Sequence, residues 1–274
     1  MLYLQILNMK HFIIIILASI ALISCSKYQR LLKSSDVELK YEGAIKYYTE
    51  EKYNKAFPLL EEILPLYRGS DKSEELNFYY AYCNYYLNDF ILAGYHFQKF
   101  YNIFPLSDRA EDAMFMSAYC YYLISPVYTL DQSNTYEAID EFKKFEKNYP
   151  TSALIDSVLA LKNELLFKLE IKSFENAKLN YTTENYKAAI VAFNNFLKDY
   201  PNTIYEEEVN FYILKSSFLL AKNSVRKKKE DRINNTIDAY YNFVDNFDDE
   251  KYLKESESMY DQILKEREKL LTKK

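Results

Sequence analysis

One pattern constrains the fold of this chain more than any other, a small residue followed by three large ones at fixed helical spacing. The large residues stand 4, 7 and 11 positions after the small one. Steps of four and three keep all of these side chains on one stripe of an α-helix, so the pattern predicts helices that bury the same face repeatedly. The copies are Ala56-Leu60-Ile63-Tyr67, Ala93-Phe97-Phe100-Phe104, Ala138-Phe142-Phe145-Tyr149, Ala189-Phe193-Phe196-Tyr200 and Thr236-Tyr240-Phe243-Phe247.

A second helix precedes each stripe. Alanine stands 12 residues before three of the stripes, at Ala44, Ala81 and Ala177, and its small side chain would let two helices approach closely. Phe104-Pro105, Tyr149-Pro150 and Tyr200-Pro201 end three stripes, and proline cannot continue a helix. The predicted unit is therefore helix, turn, helix. It resembles the tetratricopeptide repeat of about 34 residues.

The predicted fold class is all-α, an α-solenoid of about five tetratricopeptide-like repeats in a single domain over residues 37–270. Only 3 of the 274 residues are glycine and 6 are proline, which is too few turn residues for a β-rich chain of this length. The run 152–181 has neither glycine nor proline and predicts one long helix. The repeats are predicted at 37–68, 72–105, 108–150, 152–201 and 204–248, followed by a C-terminal helix.

The N-terminal residues have the features of a targeting segment. Met9-Lys10-His11 precedes the apolar run 12–24, which is shorter than the roughly 20 residues that span a bilayer. Leu22-Ile23-Ser24-Cys25 resembles a bacterial lipobox, in which the cysteine receives a diacylglycerol, gains acyl chains such as palmitate and becomes the new N-terminus. We therefore predict a signal peptide at 1–24, lipidation of Cys25 and a tether at 25–36. Either Met1 or Met9 is the start.

No pattern of catalytic, metal-ligating or cofactor-binding residues is found in the sequence. His96 is the one histidine outside the targeting segment, and the glycines form no phosphate-binding loop. We expect no enzyme activity, no cofactor and no metal. Cys83 and Cys120 are predicted to be buried, unpaired thiols, and Glu74-Glu75 to lie on a solvated helix face. The net charge of −5 gives no basic field for nucleic acid.

Two segments lie outside the regular repeat. The segment 125–134, SPVYTLDQSN, adds residues between the helices of the third repeat. An inserted loop in a tight repeat is a candidate partner surface, although a tolerated insertion is an equal alternative. The segment 226–232, RKKKEDR, is predicted to be a solvated charged turn. The partner-loop candidates are Pro126, Tyr128, Asp131 and Gln132.

An aromatic ladder, edged by carboxylates, is predicted on the first helices of three repeats. Relative to Ala44, Ala81 and Ala118, acidic residues stand at −6, and the aromatics of one helical stripe at −3, +1 and +4. In tetratricopeptide repeats this side of the first helix faces a concave groove, and tyrosine suits a wet binding surface. The alternative is that the rings only pack between helices. The candidate groove residues are Tyr41, Tyr48, Phe78, Tyr82, Tyr85, Phe115, Tyr119 and Tyr122.

The lipobox, the repeats and several longer segments together resemble the BamD family of outer membrane protein assembly factors. The segments are 64–75 (LPLYRGSDKSEE), the AYC words at Ala81 and Ala118, 125–142 and 221–232, and the likeness extends over about residues 30–265. The resemblance implies a non-enzymatic lipoprotein on the periplasmic face of the outer membrane. It implies binding to a BamA-type barrel subunit and other members of the assembly machinery, and to unfolded outer-membrane protein segments.

Two other protein classes share some of these features. A generic tetratricopeptide scaffold lipoprotein of envelope or secretion machinery fits the repeats and the lipobox equally well. A SusD-like nutrient-binding lipoprotein also combines such helices with a lipid anchor. Those chains are longer and carry a tryptophan-rich glycan-binding region, whereas this chain has no tryptophan.

Overall fold

A computed structural model of the chain describes residues 27–247 and 250–272, without the side chain of Glu250. The predicted signal peptide 1–24 and the lipidation site Cys25 lie outside the described residues. The regular structure of the described ranges is helical and includes no strand, which confirms the all-α class. The helices are α1 Val37–Thr49, α2 Tyr53–Ile63, α3 Ser73–Tyr86, α4 Phe90–Ile103, α5 Ala110–Leu123, α6 Ser133–Asn148, α7 Ile155–Thr182, α8 Tyr186–Asp199, α9 Glu206–Lys222, α10 Arg226–Asn246 and α11 Glu250–Thr272.

The chain divides into two compact units, where the sequence predicted a single repeat domain. Unit 1 contains the described residues up to Pro126 and Asp131–Leu165. Unit 2 contains Val127–Leu130 and the described residues from Leu166 onward. Helix α7 is the long helix that the sequence predicted, and its residues are shared between the two units.

The repeated stripe forms the core of the helix pairs. Phe97, Phe100, Phe142 and Phe145 are fully buried in unit 1, and Phe193 has the same environment in unit 2. Truncating a buried phenylalanine to alanine typically costs about 3–5 kcal/mol. The stripe therefore supplies much of the packing energy of each helix pair, as its spacing predicted.

Small residues set how closely neighbouring helices approach. Ala44, Ala81 and Ala118 are fully buried, as predicted. Gly94 is a point of close approach between α4 and α5, because a Cβ atom there would lie 3.3 Å from Cys120 Cβ. The same closeness lets Ser117 Oγ donate a hydrogen bond to the Gly94 carbonyl oxygen, at 3.1 Å.

Three second helices end in the same way. The residue after each helix has φ near −125° and ψ near +60°, at Phe104, Tyr149 and Tyr200. Each precedes a proline, whose ring disfavours the helical conformation in the residue before it. A hydroxyl follows two residues after each proline, and it donates to a glutamate on the first helix of the same repeat. These pairs are Ser107 to Glu74, Ser152 to Glu111 and Thr203 to Glu170.

The predicted tether is partly a docked helix. Residues 27–32 are helical, and Leu31, Leu32 and Tyr28 pack against the core of the first repeat. The Tyr28 hydroxyl also donates to the Lys55 carbonyl oxygen, at 3.2 Å. Composition alone did not reveal this, because the segment has too few apolar residues to show a period.

Two further expectations concern single segments. The charged run 226–232 is not a turn, because α10 begins at Arg226. Lys229, within that run, forms an ion pair with Glu266 of α11 at 2.8 Å.

In unit 2, α11 closes the core with the buried side chains of Met259 and Ile263. No helix in the described ranges is long and apolar enough to cross a membrane.

The cysteines and the histidine have structural environments. Cys83 and Cys120 are buried free thiols, as predicted, and burial raises the pKa of each to about 12. His96 is half-buried, with its ring centroid 4.7 Å from that of Tyr80. Burial, followed by the nearby Lys99, lowers the pKa of His96 to about 4, so that it is neutral at physiological pH.

The close approach at Gly94 gives a test of the packing in unit 1. Gly94→Val forces atoms into the space occupied by Cys120 and Tyr121, and overpacking of this kind costs about 1–3 kcal/mol. We expect a clear decrease in the urea midpoint of the full chain. Asn102→Val, at an exposed position of the same helix, is the control and should leave the midpoint nearly unchanged. Equal stabilities of the two variants would contradict the close packing of α4 and α5.

Candidate functional site

The eight candidate groove residues all lie on the first helices of unit 1. They belong to α1, α3 and α5, and each of them is half-buried. The side chains are thus neither part of the dry core nor free in solvent. This environment is compatible with a binding surface whose rings are held in place by their neighbours. The residues are Tyr41, Tyr48, Phe78, Tyr82, Tyr85, Phe115, Tyr119 and Tyr122.

Tyrosine hydroxyls of the ladder donate to carboxylates on the next first helix. Tyr41 Oη donates to Glu75 Oε2 at 2.7 Å, which joins α1 to α3. Tyr82 Oη donates to Asp112 Oδ2 and joins α3 to α5. One repeat further on, Tyr122 of α5 donates to Glu164 of α7 at 2.8 Å. The carboxylates at the edge of the ladder therefore bridge repeats, and Glu75 is not on a solvated face as the sequence suggested.

Cations cover two of the rings. Lys72 Nζ lies 3.9 Å from the centre of the Tyr41 ring, and the Arg109 guanidinium carbon lies 5.2 Å from that of Phe78. Each cation comes from the start of the following repeat, nine residues before its buried alanine. Cation–π contacts of this type contribute about 0.5–1 kcal/mol at exposed sites. The stripe predicted from the sequence ended at the acidic residues six positions before each alanine, so it did not include these cations. The same stripe continues to the position nine residues before the alanine, where Lys72 and Arg109 stand.

The rings of α3 and α5 differ in how closely they are packed. Tyr82 is wedged among other rings, with centroids 4.9 Å from both Phe78 and Phe97. On α5, Phe115, Tyr119 and Tyr122 instead form a row of parallel rings. Their centroids are 5.8 and 5.9 Å apart, with interplanar angles of 10° and 13°. The row is a continuous line of half-buried aromatic rings along one helix.

Hydrogen bonds and burial raise the pKa of two tyrosines of the ladder. The bond to Glu75, followed by burial, raises the pKa of Tyr41 to about 12. Burial, followed by the bond to Asp112, raises the pKa of Tyr82. Burial also raises the pKa of Asp112 above its ordinary value of 3.8, and the Tyr82 hydrogen bond partly opposes this. Tyr41 and Tyr82 are therefore neutral donors throughout the physiological range.

The partner-loop candidates are in unlike environments. In unit 1, Gln132 is only 4% exposed and accepts a hydrogen bond from Thr135, whereas Asp131 is exposed and Pro126 is half-buried. In unit 2, Tyr128 is half-buried, and its carbonyl oxygen accepts a hydrogen bond from Lys172 Nζ at 2.8 Å. The burial of Gln132 leaves little of its side chain available to a partner.

The described part of the chain holds no group of three or more histidine, cysteine, aspartate or glutamate side chains that could bind a metal ion. Glu141 is the most buried carboxylate near the ladder. It is fully enclosed and accepts hydrogen bonds from Gln98, Tyr101 and Lys144. This set ties α4 to α6, so Glu141 has a structural environment.

A family model links this geometry to known proteins. The model is that of YfiO, described as outer membrane lipoprotein, and it matches residues 34–172, half of the chain. The chain belongs to the YfiO family. The matched residues contain α1 to α6 and the first part of α7, so the YfiO match includes the whole ladder and the loop 125–134.

Solved structures also match the chain. The tetratricopeptide domain of P58(IPK) is 15% identical, with a TM-score of 0.40, covering 91% of this chain and 69% of that one. No curated protein sequence matches the chain. Membership of the YfiO family therefore rests on the family model.

The ladder geometry predicts unequal effects of two Tyr→Phe changes. Tyr82→Phe removes a partly buried hydrogen bond to a carboxylate and should lower the free energy of unfolding by about 1–2 kcal/mol at neutral pH. The change also removes the contact that lowers the pKa of Asp112. The pKa of that carboxyl then rises further, so the cost should decrease as the pH falls through the raised pKa. Urea unfolding at several pH values measures both effects.

Tyr122→Phe is the matched control, because its hydrogen bond to Glu164 is exposed. It should change the free energy of unfolding by about 0.5 kcal/mol or less. Equal costs for the two variants, or a cost for Tyr82→Phe that is independent of pH, would contradict the bridging role of Asp112.

Proposed function

We propose that this chain is a BamD-like subunit of the machinery that assembles β-barrel proteins in the outer membrane. In this role it is a lipid-anchored, non-enzymatic protein on the periplasmic face. It docks onto a BamA-type barrel subunit and helps to receive unfolded outer-membrane proteins. Its membership of the YfiO family, through residues that include the whole ladder, is the observation that carries this proposal.

The row of rings on α5 supports binding of an extended client segment. Phe115 and Tyr119 are half-buried, so part of each side chain remains accessible to a client side chain. Aromatic residues dominate the energy of binding surfaces because they bury large areas at low entropic cost. A barrel protein's C-terminal segment, which ends in an aromatic residue, would match such a surface in chemistry.

The hydrogen bonds between repeats favour a rigid surface. Tyr41, Tyr82 and Tyr122 are each fixed by a carboxylate on the following first helix. A surface that is ordered before binding avoids the entropic cost of ordering its side chains in the complex. We assign the docking of the barrel subunit to the later repeats, about residues 110–250, following the resemblance to the BamD family.

The lipid attachment is tested by Cys25→Ser. The acyl chains supply the membrane affinity, at about 0.8 kcal/mol per buried CH₂, and the variant has no thiol to receive them. We expect the variant in the soluble periplasmic fraction, without incorporation of labelled palmitate. A variant that stays in the membrane fraction and still carries the label would refute attachment at Cys25.

Client binding is tested by Tyr119→Ser and a peptide from the C-terminus of a barrel protein. We expect Kd to increase by at least about thirtyfold, equivalent to about 2 kcal/mol, with a nearly unchanged melting temperature. Tyr136→Ser is the control, because Tyr136 is 61% exposed in the same unit and lies outside the ladder. A lower melting temperature with unchanged peptide affinity would show that the ring serves packing alone.

A further inference from the structure

The second repeat exposes an apolar patch at the turn between its two helices. Ile91 is 63% exposed and Tyr95 is 52% exposed. The first charged residue of α4 is Lys99, so this exposed surface has no charged side chain from the first turns of α4. Large apolar side chains grouped on a surface mark a site of interaction with another molecule or with lipid. We call this surface the turn patch, and it consists of Tyr86, Leu87, Ile91, Leu92 and Tyr95.

The three exposed positions on α4 are all large and apolar only in the second repeat, although Tyr136 in the third repeat and Val191 in the fourth each place one exposed apolar residue at an equivalent position. The positions of Ile91 and Leu92, two residues and one residue before the buried alanine, carry Asn54 and Lys55 in the first repeat. The position of Tyr95 carries Asp140 in the third repeat. The packing of a helix pair does not require apolar residues at these exposed positions, so the fold does not explain the patch.

The N-terminal helix places the turn patch on the same edge of unit 1 as the start of the described chain. Tyr28 contacts Lys55 in the first turn of α2, through the hydrogen bond from its hydroxyl. Two residues earlier, the Tyr53 ring stacks on Tyr86 of the patch, with centroids 4.2 Å apart. Tyr28 and the patch therefore both contact the first turn of α2, Tyr28 through Lys55 and the patch through Tyr53.

Cys25 is separated from this edge by a very short stretch. It stands two residues before Lys27, and two residues of extended chain span at most about 7 Å. If Cys25 bears acyl chains, the docked helix 27–32 must lie close to the membrane surface. The edge of unit 1 that carries this helix is then held at the same surface.

The charges on the N-terminal helix complement an anionic phospholipid surface. Lys27, Arg30 and Lys33 are exposed, and residues 27–35 contain no acidic residue. Exposed cations near a bilayer are attracted to anionic headgroups. Glu50 forms an ion pair with Lys52 at 2.7 Å, whereas the exposed Glu51 and Asp89, in the turns of the first two repeats, oppose this attraction. The apolar contact of the patch must therefore supply the larger part of the binding.

We propose that the turn patch inserts into the headgroup region of the phospholipid leaflet that holds the Cys25 lipid, and so fixes the orientation of unit 1 on the membrane. The inference rests on the proposed lipid attachment. Leu87, Ile91 and Leu92 supply the apolar contact, and Tyr86 and Tyr95 have the mixed character that suits the membrane interface. The acyl chains supply affinity, and the patch supplies a second contact that prevents rotation about a single anchor.

The absence of tryptophan from the chain permits a direct test. Ile91→Trp places a single fluorophore in the patch of the full-length, lipidated protein. The protein is bound to vesicles of phosphatidylethanolamine and phosphatidylglycerol, with and without phosphatidylcholine brominated on its acyl chains. We expect a blue-shifted emission and loss of most of the fluorescence on the brominated vesicles. Leu106→Trp, at a position 96% exposed after α4, is the control and should keep an unquenched, water-exposed emission.

Flotation of the wild-type protein and circular dichroism of both variants complete the experiment. If the protein floats with the vesicles and both variants keep the wild-type melting temperature, an unquenched Ile91→Trp overturns the membrane contact alone. Equal quenching of Ile91→Trp and Leu106→Trp would also overturn it, because the contact would not be specific to the patch. Failure of the wild-type protein to float would overturn the lipid attachment, and the turn patch proposal with it.

Discussion

The close packing of a small residue against an aromatic stripe is the interaction on which the rest of unit 1 depends. Ala44, Ala81 and Ala118 let the two helices of each repeat approach, so that rings such as Phe97 and Phe142 become fully buried. Tyr80 and Tyr101 are buried in the same core, whereas the tyrosines of the ladder stay half-buried. The hydroxyls of Tyr41, Tyr82 and Tyr122 are thereby free to reach the following repeat.

The contacts between repeats are polar at their tips and aromatic along their sides. The Tyr82 hydroxyl donates to Asp112 of the next repeat, and the Tyr48 ring stacks on Tyr79 of the next repeat with centroids 4.1 Å apart. A carboxylate that accepts from the preceding helix fixes the register of two repeats, because a shift of one residue would turn the partners away from each other. The same bonds hold the rings of the ladder still. Packing and binding are therefore compatible roles of one surface.

The sequence predicted the features that repeat within a short distance along the chain. The buried stripes, the helix ends at Tyr149 and Tyr200 and the free thiols were all accessible from spacing and local chemistry. The partners of Glu74 and Glu75 were not, since Ser107 and Tyr41 stand more than thirty residues away and on different helices. Polar contacts across helices depend on side-chain direction as well as on spacing.

The ladder itself was only half predictable. Its eight residues were identified from one helical stripe, but their half-buried state and the contrast between wedged Tyr82 and the open row at Tyr119 depend on how neighbouring helices cross. The docking of helix 27–32 was not predicted for a similar reason. It depends on packing between segments and leaves no period in the sequence.

Affinity purification of the lipidated protein from detergent-solubilised envelopes tests the central claim most directly. The account predicts that a large barrel protein with soluble periplasmic repeats is recovered with it. Recovery of the intact, lipidated chain without any barrel protein would contradict a role in outer-membrane barrel assembly.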